Sequence, residues 1–354
     1  MNIERKIMFT QFKNLYISES EYRNNIKFDE LCKYNIKPLD DSLLAVARNE
    51  LIVIAAGSGY GKTELAIHIA EYNAQQGKRV AFYGLEGGGR EVIQRIKWKH
   101  MINLYFREYS DEHVEMDYRA WVLNKDPHPL FLKLESLVYS NLKEKVGSNF
   151  YLYDNPEGLN CKLFCQSLVK LEGLKADLSL DPMMRSNFKG ITNLDLIVID
   201  HLHYFSLDKD EDEISEITEI LKTVKIITEE MQIPVILVAH LRKLPRGHGI
   251  PDKEDIYGTS NIHKIANTCI IVAPDHDKDD QANGLYPTFF RIAKSRQGLR
   301  PNLLICSTFD IYKREYGSDY ELYKCGPNGD PATEAMLFNE KPKWARQYNV
   351  KAMI

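Results

Sequence analysis

Six short apolar runs recur between residues 51 and 296. They are LIVIAA (51–56), RVAFYGLE (79–86), LIVID (196–200), VILVAH (235–240), CIIVAP (269–274) and FFRIAKSR (289–296). Near-continuous hydrophobicity is typical of strands that are covered on both faces, as in a parallel sheet. Stretches between them, such as TELAIHIAEYNAQQGK and EISEITEILKTVKIITEEM, repeat apolar residues every three or four positions and predict helices. The alternation predicts an α/β fold with a mainly parallel sheet and helices on both faces.

The same rhythm divides the chain into stretches. Residues 1–38 are mixed and charged and predict an N-terminal arm with a helix or two. Residues 39–315 carry the strand and helix pattern, and 97–190 interrupts it with aromatic, charged and partly helical sequence, which predicts an insertion within the core. Residues 316–354 are polar with scattered glycine and proline, which predicts a C-terminal tail.

Composition narrows the class of protein. The 354 residues are 44% hydrophobic, enough for a buried core, and the net charge of −4 means that any nucleic-acid contact comes from a local patch. No run of 18 apolar residues is present and the first residues lack a signal-peptide pattern, so we expect a cytoplasmic protein without a membrane partner. The six cysteines predict reduced thiols, and Cys161 with Cys165 is a weaker candidate for half of a metal site.

The sequence IAAGSGYGKT contains a phosphate-loop pattern. Ala56 takes the first glycine position of that pattern, and the remainder is intact. The predicted ligands of the ATP phosphates are Gly57, Ser58, Gly59, Tyr60, Gly61, Lys62 and Thr63. Backbone N–H groups would hold the phosphates, Lys62 would reach the β- and γ-phosphates, and the Thr63 hydroxyl would bind Mg²⁺. The alternative is a glycine-rich turn with a chance Lys-Thr pair.

Three further apolar runs end in a polar residue, at Glu86, Asp200 and His240. Because ligands of a parallel sheet bind beyond the carboxyl ends of its strands, we expect these side chains near the phosphate loop. Asp200 suits a carboxylate at the Mg²⁺ site, Glu86 a base that activates water, and His240 a partner of the γ-phosphate or its water. The alternatives are helix caps for the carboxylates and a structural role for the histidine.

Two cations end the last apolar run. Lys294 and Arg296 are two positions apart, so on a strand they project from the same face. A hydrophobic strand that ends in this way is suited to meet an anion. The alternative is a strand end that simply lies in solvent.

Taken in order, the motifs resemble the RecA-type motor domain of DnaB-type replicative helicases, including their phage and Twinkle relatives. The similar segments are LIVIAAGSGYGKTELAIHIA, FYGLEGGGREVIQRI, LIVIDHLHYF, EISEITEILKTVKIITEEMQIPVILVAHLRK, DIYGTSNIHKIANTCIIV and IAKSRQG. The resemblance implies a RecA-like P-loop NTPase core and a hexameric ATPase that moves along single-stranded DNA and separates the duplex. It assigns water activation to Glu86, the metal site to Asp200 and the sensor to His240, and it implies that Lys294 and Arg296 reach a neighbouring subunit's nucleotide.

The resemblance also implies two DNA-facing loops, one after Asp200 and one between His240 and Ile270. The first reads SLDKDEDE and is acidic, which disfavours contact with phosphates. The second contains the densest basic cluster beside a predicted strand, and its expected DNA contacts are Arg242, Lys243 and Arg246. A loader or another replication protein would be a further partner of such a motor.

The sequence leaves three functions open. A helicase of phage, plasmid or mobile-element type is the leading hypothesis. The acidic loop and the insertion favour a RecA-like ATPase resembling KaiC or RadA, which would use ATP to switch a protein partner without unwinding DNA. A P-loop kinase of small molecules would need an acceptor pocket and a lid, for which the insertion is the one candidate segment.

Overall fold

The computed structural model describes residues 11–110, 115–125, 128–154, 158–171, 193–205, 213–243, 249–274, 284–296 and 303–324. The chain divides into two units, Met1–Leu31 and Cys32–Ile354. The first contains helix α1 (Phe12–Asn24) and a 3-10 turn at Phe28–Glu30. Phe12, Tyr16 and Ile17 of α1 are exposed, so this helix presents apolar surface.

A nine-stranded sheet forms the centre of the second unit. Its strands are β1 (Leu51–Ala56), β2 (Val80–Gly84), β3 (Phe150–Tyr153), β4 (Leu196–Asp200), β5 (Val235–His240), β6 (Thr268–Pro274), β7 (Leu285–Ser295), β8 (Leu303–Asp310) and β9 (Glu315–Lys324). Their order across the sheet is β3-β2-β4-β5-β1-β6-β7-β8-β9. The pairs from β3 to β6 are parallel, and β7, β8 and β9 continue the sheet in antiparallel pairs. The mainly parallel sheet predicted from the sequence is confirmed.

Helices cover both faces of the sheet. They are α2 (Lys37–Leu43), α3 (Lys62–Gln75), α4 (Gly88–Glu108), α5 (Tyr118–Val122), α6 (Pro129–Lys145), α7 (Cys161–Leu171), α8 (Glu213–Met231) and α9 (Asn261–Ile265). Alternate residues of β1 enter opposite cores: Val53 packs with α7 and α8, and Ile54 packs with α3 and α4. Such double coverage explains the continuous apolar runs. None of the helices in the described ranges combines the length and apolarity that a bilayer crossing requires.

The sequence predicts an insertion over 97–190, but much of this stretch belongs to the main fold. α4 runs across its first boundary, β3 pairs in parallel with β2, and α7 packs into the main core through Phe164. β3 is hidden in the sequence because its run FYLY has only four residues, lies in an aromatic and charged stretch, and is only partly buried at the edge of the sheet. The second half of α4 packs instead with α5 and α6, around Met101 and Leu134. Among the described residues of this stretch, the part that stands apart from the sheet is therefore mainly α5 and α6.

The other two predicted boundaries also shift. Cys32, Tyr34 and Ile36 are buried in the core of the second unit, so that core begins before residue 38. At the other end, β9 pairs with β8 along most of its length and carries the sheet beyond residue 315. β9 is polar and has no apolar run, so the sequence does not predict it as a strand. Its backbone hydrogen bonds are made by antiparallel pairing with β8.

A buried ionic network fixes α4 against α3. Glu71 of α3 is fully buried and forms ion pairs with Lys99, at 3.2 Å, and with His100. Burial alone would raise the pKa of Glu71, but these two partners hold it at about 2. His68, one turn earlier, is also buried, and its ring Nε2 lies 2.8 Å from the carbonyl oxygen of Asn35. Burial, together with Lys99, lowers the pKa of His68 to about 4.

Candidate nucleotide-binding site

The phosphate loop joins β1 directly to α3. Gly59 and Gly61 have φ angles of 80° and 76°, in the left-handed region that favours glycine. Gly57 is constrained by space, because a Cβ there would lie 2.8 Å from a ring carbon of Tyr60. α3 begins at Lys62, so the unpaired N–H groups of its first turn face the loop. This backbone arrangement suits a phosphate at a helix N-terminus.

The ammonium group of Lys62 is held over this loop. The side chain is buried, and Nζ donates a hydrogen bond to the carbonyl oxygen of Gly57 at 3.2 Å. Burial lowers the pKa of Lys62, and the carboxylates of Glu86 and Asp200 oppose this shift. Ser58 is exposed at the tip of the loop. Lys62 is therefore a buried cation within electrostatic range of both predicted acidic residues.

Asp200 ends β4 beside Gly84, its partner in β2. Its carboxylate is buried, and burial raises its pKa to about 6, although a hydrogen bond from the Thr63 hydroxyl opposes the shift. Within the described residues, Asp200 Oδ1 has no hydrogen-bond partner. A buried carboxylate oxygen without a partner, next to a threonine hydroxyl, is the donor set that Mg²⁺ prefers. Thr63 and Asp200 therefore fit the predicted Mg²⁺ site.

Glu86 and His240 lie on either side of a histidine that the sequence reasoning missed. His201 directly follows Asp200, is fully buried, and its Nε2 lies 3.5 Å from Oε2 of Glu86. The rings of His201 and His240 pack edge to face with centroids 4.1 Å apart. Glu86 itself is 44% exposed. The one sequence signal for His201 is that it follows the run LIVID. Any polar residue that begins a loop after a strand gives the same signal, so it does not mark a functional side chain.

Burial keeps the imidazoles neutral near pH 7. Burial, with the neighbouring His240 and His203, lowers the pKa of His201 to about 3. Burial and the charge of Lys62 lower the pKa of His240 to about 4. His240 pairs with Ala56, the last residue of β1, so it lies at the start of the phosphate loop. A neutral imidazole there can accept or donate a hydrogen bond without adding charge.

The segment after β5 returns to this histidine cluster. The backbone N–H of Tyr257 donates to the carbonyl oxygen of His240 at 2.8 Å, and Nε2 of His203 lies 3.2 Å from the carbonyl oxygen of Tyr257. Leu241 and Ile256 form an antiparallel bridge next to this contact. The backbone that leads to α9 is thus bound to the end of β5, through His240, and to the turn after β4, through His203.

Arg242 and Lys243 are exposed at the start of that segment. The backbone N–H of Arg242 donates to the carbonyl oxygen of Asp255 at 2.8 Å, and its guanidinium donates to the carbonyl oxygen of Glu254. Arg246 and most of the acidic loop SLDKDEDE lie outside the described residues. The structure therefore brings Arg242 and Lys243 to the edge of the sheet that carries the phosphate loop.

Lys294 and Arg296 lie at the opposite edge of the sheet. β7 is antiparallel to β6, and Ser295 pairs with Thr268, the first residue of β6. β6 spans seven residues, so at ~3.3 Å per residue the pair lies about 20 Å from the carboxyl ends of the parallel strands. An apolar run reads the same in either direction, so the sequence could not indicate this reversal.

Both cations bind carbonyl oxygens at the end of α9. Lys294 Nζ donates to the carbonyls of His263, Lys264 and Ala266 at 2.5, 3.2 and 2.7 Å. Among the described residues, the guanidinium of Arg296 donates to one carbonyl oxygen, that of Lys264 at 2.7 Å, and the side chain is exposed. The ammonium group thus uses all three of its N–H donors, whereas the guanidinium has five and shows one such bond.

A second ion-pair cluster begins one residue after Thr63. Arg95 and Arg314 both donate to the same carboxylate oxygen of Glu64, and the Arg314 guanidinium lies 4.5 Å from the ring centroid of Tyr118. These contacts tie α3 to α4 and to the turn before β9. Cys161 and Cys165 gain no metal partners, since the one cluster of three or more potential metal ligands among the described residues is Glu86, His201 and His240.

A parallel sheet with a phosphate loop after β1 and acidic residues at the neighbouring strand ends defines a RecA-like P-loop NTPase domain. The chain belongs to the DnaB-like helicase C-terminal domain family, whose sequence model matches residues 33–113 and 175–308, more than half of the chain. The unmatched stretch between these ranges includes α5, α6 and β3.

Relatives and solved structures agree with this family. The chain is 28% identical over 286 residues to a probable plasmid replicative DNA helicase from Chlamydia psittaci, covering 78% of this chain and 54% of the relative. It is 25% identical over 321 residues to the replicative DNA helicase DnaB of Mycoplasma pneumoniae, covering 84% and 60%. The chain thus spans little more than half the length of these relatives.

The fold also matches two solved structures. One is the structure of an ATPase domain, with a TM-score of 0.64, 14% identity, and coverage of 87% of this chain and 99% of that one. The other is a DnaB-like replicative helicase studied with its interactions with primase, with a TM-score of 0.62, 14% identity, and coverage of 87% and 67%. At this identity the likeness establishes the fold.

Proposed function

We propose that the protein is a ring-forming, ATP-hydrolysing motor that acts on single-stranded DNA, a DnaB-like DNA helicase of plasmid, phage or mobile-element type. The observation that carries the proposal is the convergence of Glu86, Asp200 and Lys62 at one edge of a sheet in a chain of this family. The name of the Chlamydia psittaci relative favours the plasmid type.

Each residue of the site has a role in hydrolysis that follows from its position. The N–H groups of the phosphate loop and Lys62 bind and orient the β- and γ-phosphates. Thr63 and Asp200 hold Mg²⁺, which when bound neutralises charge that develops on the phosphate oxygens. Glu86, exposed beside the loop, accepts the proton of the attacking water. His240 donates to or accepts from the γ-phosphate or that water.

The position of Arg296 supports assembly of more than one subunit. It lies about 20 Å from the sheet edge that carries the phosphate loop of its own chain, so its side chain cannot reach a nucleotide bound there unless the sheet changes. We therefore assign it to the nucleotide of the neighbouring subunit in a hexamer. Lys294, with all three donors on α9, holds the end of that helix and supports Arg296. The cation that reaches across is thus Arg296.

DNA contact is assigned to the basic segment after β5. Arg242 and Lys243 are exposed, and Arg246 belongs to the same cluster. The hydrogen bond from the Tyr257 N–H to the His240 carbonyl links this segment to the nucleotide site, so a change at His240 can be transmitted to it. A loader or another replication protein is the partner class that such a motor requires.

The test measures ATP hydrolysis with and without single-stranded DNA, and strand separation of a forked duplex, with the Lys62→Ala variant as the inactive control. We expect stimulation by single-stranded DNA and ATP-dependent separation, both absent in Lys62→Ala. Hydrolysis that DNA does not affect, with no strand separation, would contradict the helicase and favour a protein-directed ATPase switch. Transfer of phosphate to an acceptor other than water would contradict both.

A further inference from the structure

Glu86, His201 and His240 form a cluster that resembles a metal site. One ligand atom from each lies within 4.8 Å of the others. Two histidines and a carboxylate are a common ligand set for zinc and for non-haem iron. The hydrogen bonds around His201 decide whether the cluster can serve that purpose.

The ring nitrogens of His201 have separate roles. Nδ1 lies 3.3 Å from the backbone nitrogen of His203 and accepts its N–H, which caps the 3-10 turn at Leu202–Tyr204. A neutral imidazole carries one proton, so that proton is on Nε2. Nε2 is then a hydrogen-bond donor towards Glu86 and offers no lone pair to a metal. A metal-bound histidine instead donates from its other nitrogen, which the His203 N–H prevents here.

We propose that His201 is a positioning residue for Glu86, whose carboxylate it orients through Nε2–H. The inference rests on the proposed role of Glu86 as the base. His201 is fully buried, and its Nε2 has no hydrogen-bond partner among the described residues, while the nearest carboxylate oxygen is 3.5 Å away. A buried donor without a partner is unfavourable, so an approach of Glu86 to hydrogen-bond distance is favoured.

The histidine ring is the fixed member of this pair. It packs edge to face against His240, with centroids 4.1 Å apart, and against Tyr204 at 4.7 Å. Glu86 is 44% exposed and follows the end of β2, so its side chain can turn towards Nε2. One carboxylate oxygen then accepts from His201, and the other faces outward to take the proton of water. A base must be held in this way to act efficiently.

Two substitutions separate the role of Nε2, which donates towards Glu86, from that of Nδ1, which caps the 3-10 turn. In His201→Asn, the side-chain oxygen lies where Nδ1 lies and keeps the acceptor for His203, but the donor is lost. In His201→Gln, the amide nitrogen reaches the place of Nε2 and keeps the donor. We expect His201→Asn to lower kcat by about tenfold, a part of the roughly 10²–10⁴-fold that a general base contributes, with KM for ATP little changed. We expect His201→Gln to keep most of kcat.

A double substitution links the effect to Glu86. Glu86→Gln should lose most of its turnover, and Glu86→Gln combined with His201→Asn should lose no more, because residues that act as a unit are not additive. Full activity of Glu86→Gln would overturn the proposed base itself. An impaired Glu86→Gln together with an unimpaired His201→Asn would overturn the positioning role alone.

Two further outcomes would also overturn it. If His201→Gln falls as far as His201→Asn, keeping the donor does not keep activity, and the positioning role is wrong. If His201→Gln alone is impaired, the turn cap rather than the donor is what matters. Thermal unfolding of both variants identifies a loss of folding, and if only His201→Asn fails to fold, the activity of His201→Gln still decides. Cobalt(II) titrated into the full chain without nucleotide is the direct test of the metal alternative. A tetrahedral Co²⁺ spectrum that His201→Asn abolishes would replace the positioning role with a metal site.

Discussion

The Thr63 hydroxyl, in the first turn of α3, lies near enough to the Asp200 carboxylate at the end of β4 to oppose the rise in its pKa. The two residues predicted to hold Mg²⁺ are thus neighbours, although 137 positions separate them in the chain. Asp200 Oδ1 has no hydrogen-bond partner within the described residues and is available to a cation.

Asp200→Asn should weaken the metal site without removing the phosphate loop. The amide keeps the shape of the side chain but loses the charge that attracts Mg²⁺. We expect the Mg²⁺ concentration for half-maximal hydrolysis to rise by about tenfold or more, with partial rescue at high Mg²⁺. The matched control is Asp195→Asn before the other end of β4, where the carboxylate accepts the Arg79 N–H at 2.9 Å. An equal Mg²⁺ dependence in the two variants would contradict the assignment.

Arg296→Ala should bind ATP nearly as the wild type does and hydrolyse it poorly. An arginine supplied to a phosphoryl-transfer site is worth roughly 10³–10⁵ in rate. Mixing Arg296→Ala with Lys62→Ala under subunit exchange should restore some activity, since mixed rings contain junctions with a competent loop and a competent arginine. If mixed rings form and no activity returns, the role across subunits is wrong.

Lys294→Met should act mainly on stability. Its ammonium holds three carbonyl oxygens at the end of α9, and each such bond to a charged group is worth about 1.5–3 kcal/mol in general, less where solvent reaches it. We expect a lower melting temperature than for Arg296→Ala, with a smaller direct loss of turnover at a temperature where both variants are folded. The reverse order in both measurements would make Lys294 the group that reaches across.

Lys243→Ala should weaken DNA binding in a salt-dependent way. Each phosphate contact on single-stranded DNA contributes about 0.7 to the slope of log K against log salt. We expect the slope for this exposed lysine to fall by about that amount. Lys253→Ala is the control, because Lys253 pairs with Glu254 at 3.1 Å. An unchanged slope for Lys243→Ala, or an equal loss in the control, would move the DNA contact to another surface.

Folding stability should fall as the pH decreases below neutrality. His68 has a pKa of about 4 in the folded chain, below its ordinary value of 6.5, so the unfolded chain binds more protons between these values. The free energy of unfolding therefore decreases from pH 6.5 towards pH 4, by at most about 3 kcal/mol from this group. His201 and His240 act with the same sign, and Glu71 adds a loss below about pH 4.5. Glu50 and Asp200 act with the opposite sign, because burial raises their pKa values to about 7 and about 6, so the contribution of His68 is isolated by substitution.

Denaturant titrations between pH 7.5 and 4.5 check this expectation. His68→Gln should flatten the dependence, because the amide can donate to the Asn35 carbonyl without titrating. His128→Gln, at an exposed position at the start of α6, is the control for removal of an imidazole in general. Parallel curves for the wild type and His68→Gln would show that the buried imidazole has no such role.

The sequence was most informative where strands are buried on both faces. LIVIAA, LIVID and VILVAH match β1, β4 and β5 residue for residue, because covered strands have to be continuously apolar. The same pattern also predicted that Glu86 and Asp200 lie near Lys62, because parallel strands end at the same edge of the sheet. In the structure, both carboxylates act on the pKa of Lys62.

What the sequence could not provide are features that depend on tertiary pairing. The direction of β7 is invisible in FFRIAKSR, and it moves Arg296 to the far edge of the sheet. β3 and β9 are the two edge strands of the sheet: β3 has only four residues, and β9 is polar, which an edge strand tolerates. His201 carries no local signal either, because its burial and its contact with Glu86 depend on how β2 and β4 meet.

The order of strands gives the site a scale. Across β2, β4, β5 and β1, the strand ends carry Glu86, Asp200, His240 and Gly57 in turn. Neighbouring strands are about 4.8 Å apart, so these four positions span about 14 Å, and the hydrogen bonds between strands fix their spacing. A one-residue shift in the register of a strand would turn its functional side chain to the opposite face of the sheet, whereas a change in a connecting loop leaves the spacing unchanged. Substitutions in the buried middle of β4 or β5 can therefore affect the active site, although those residues do not contact the substrate.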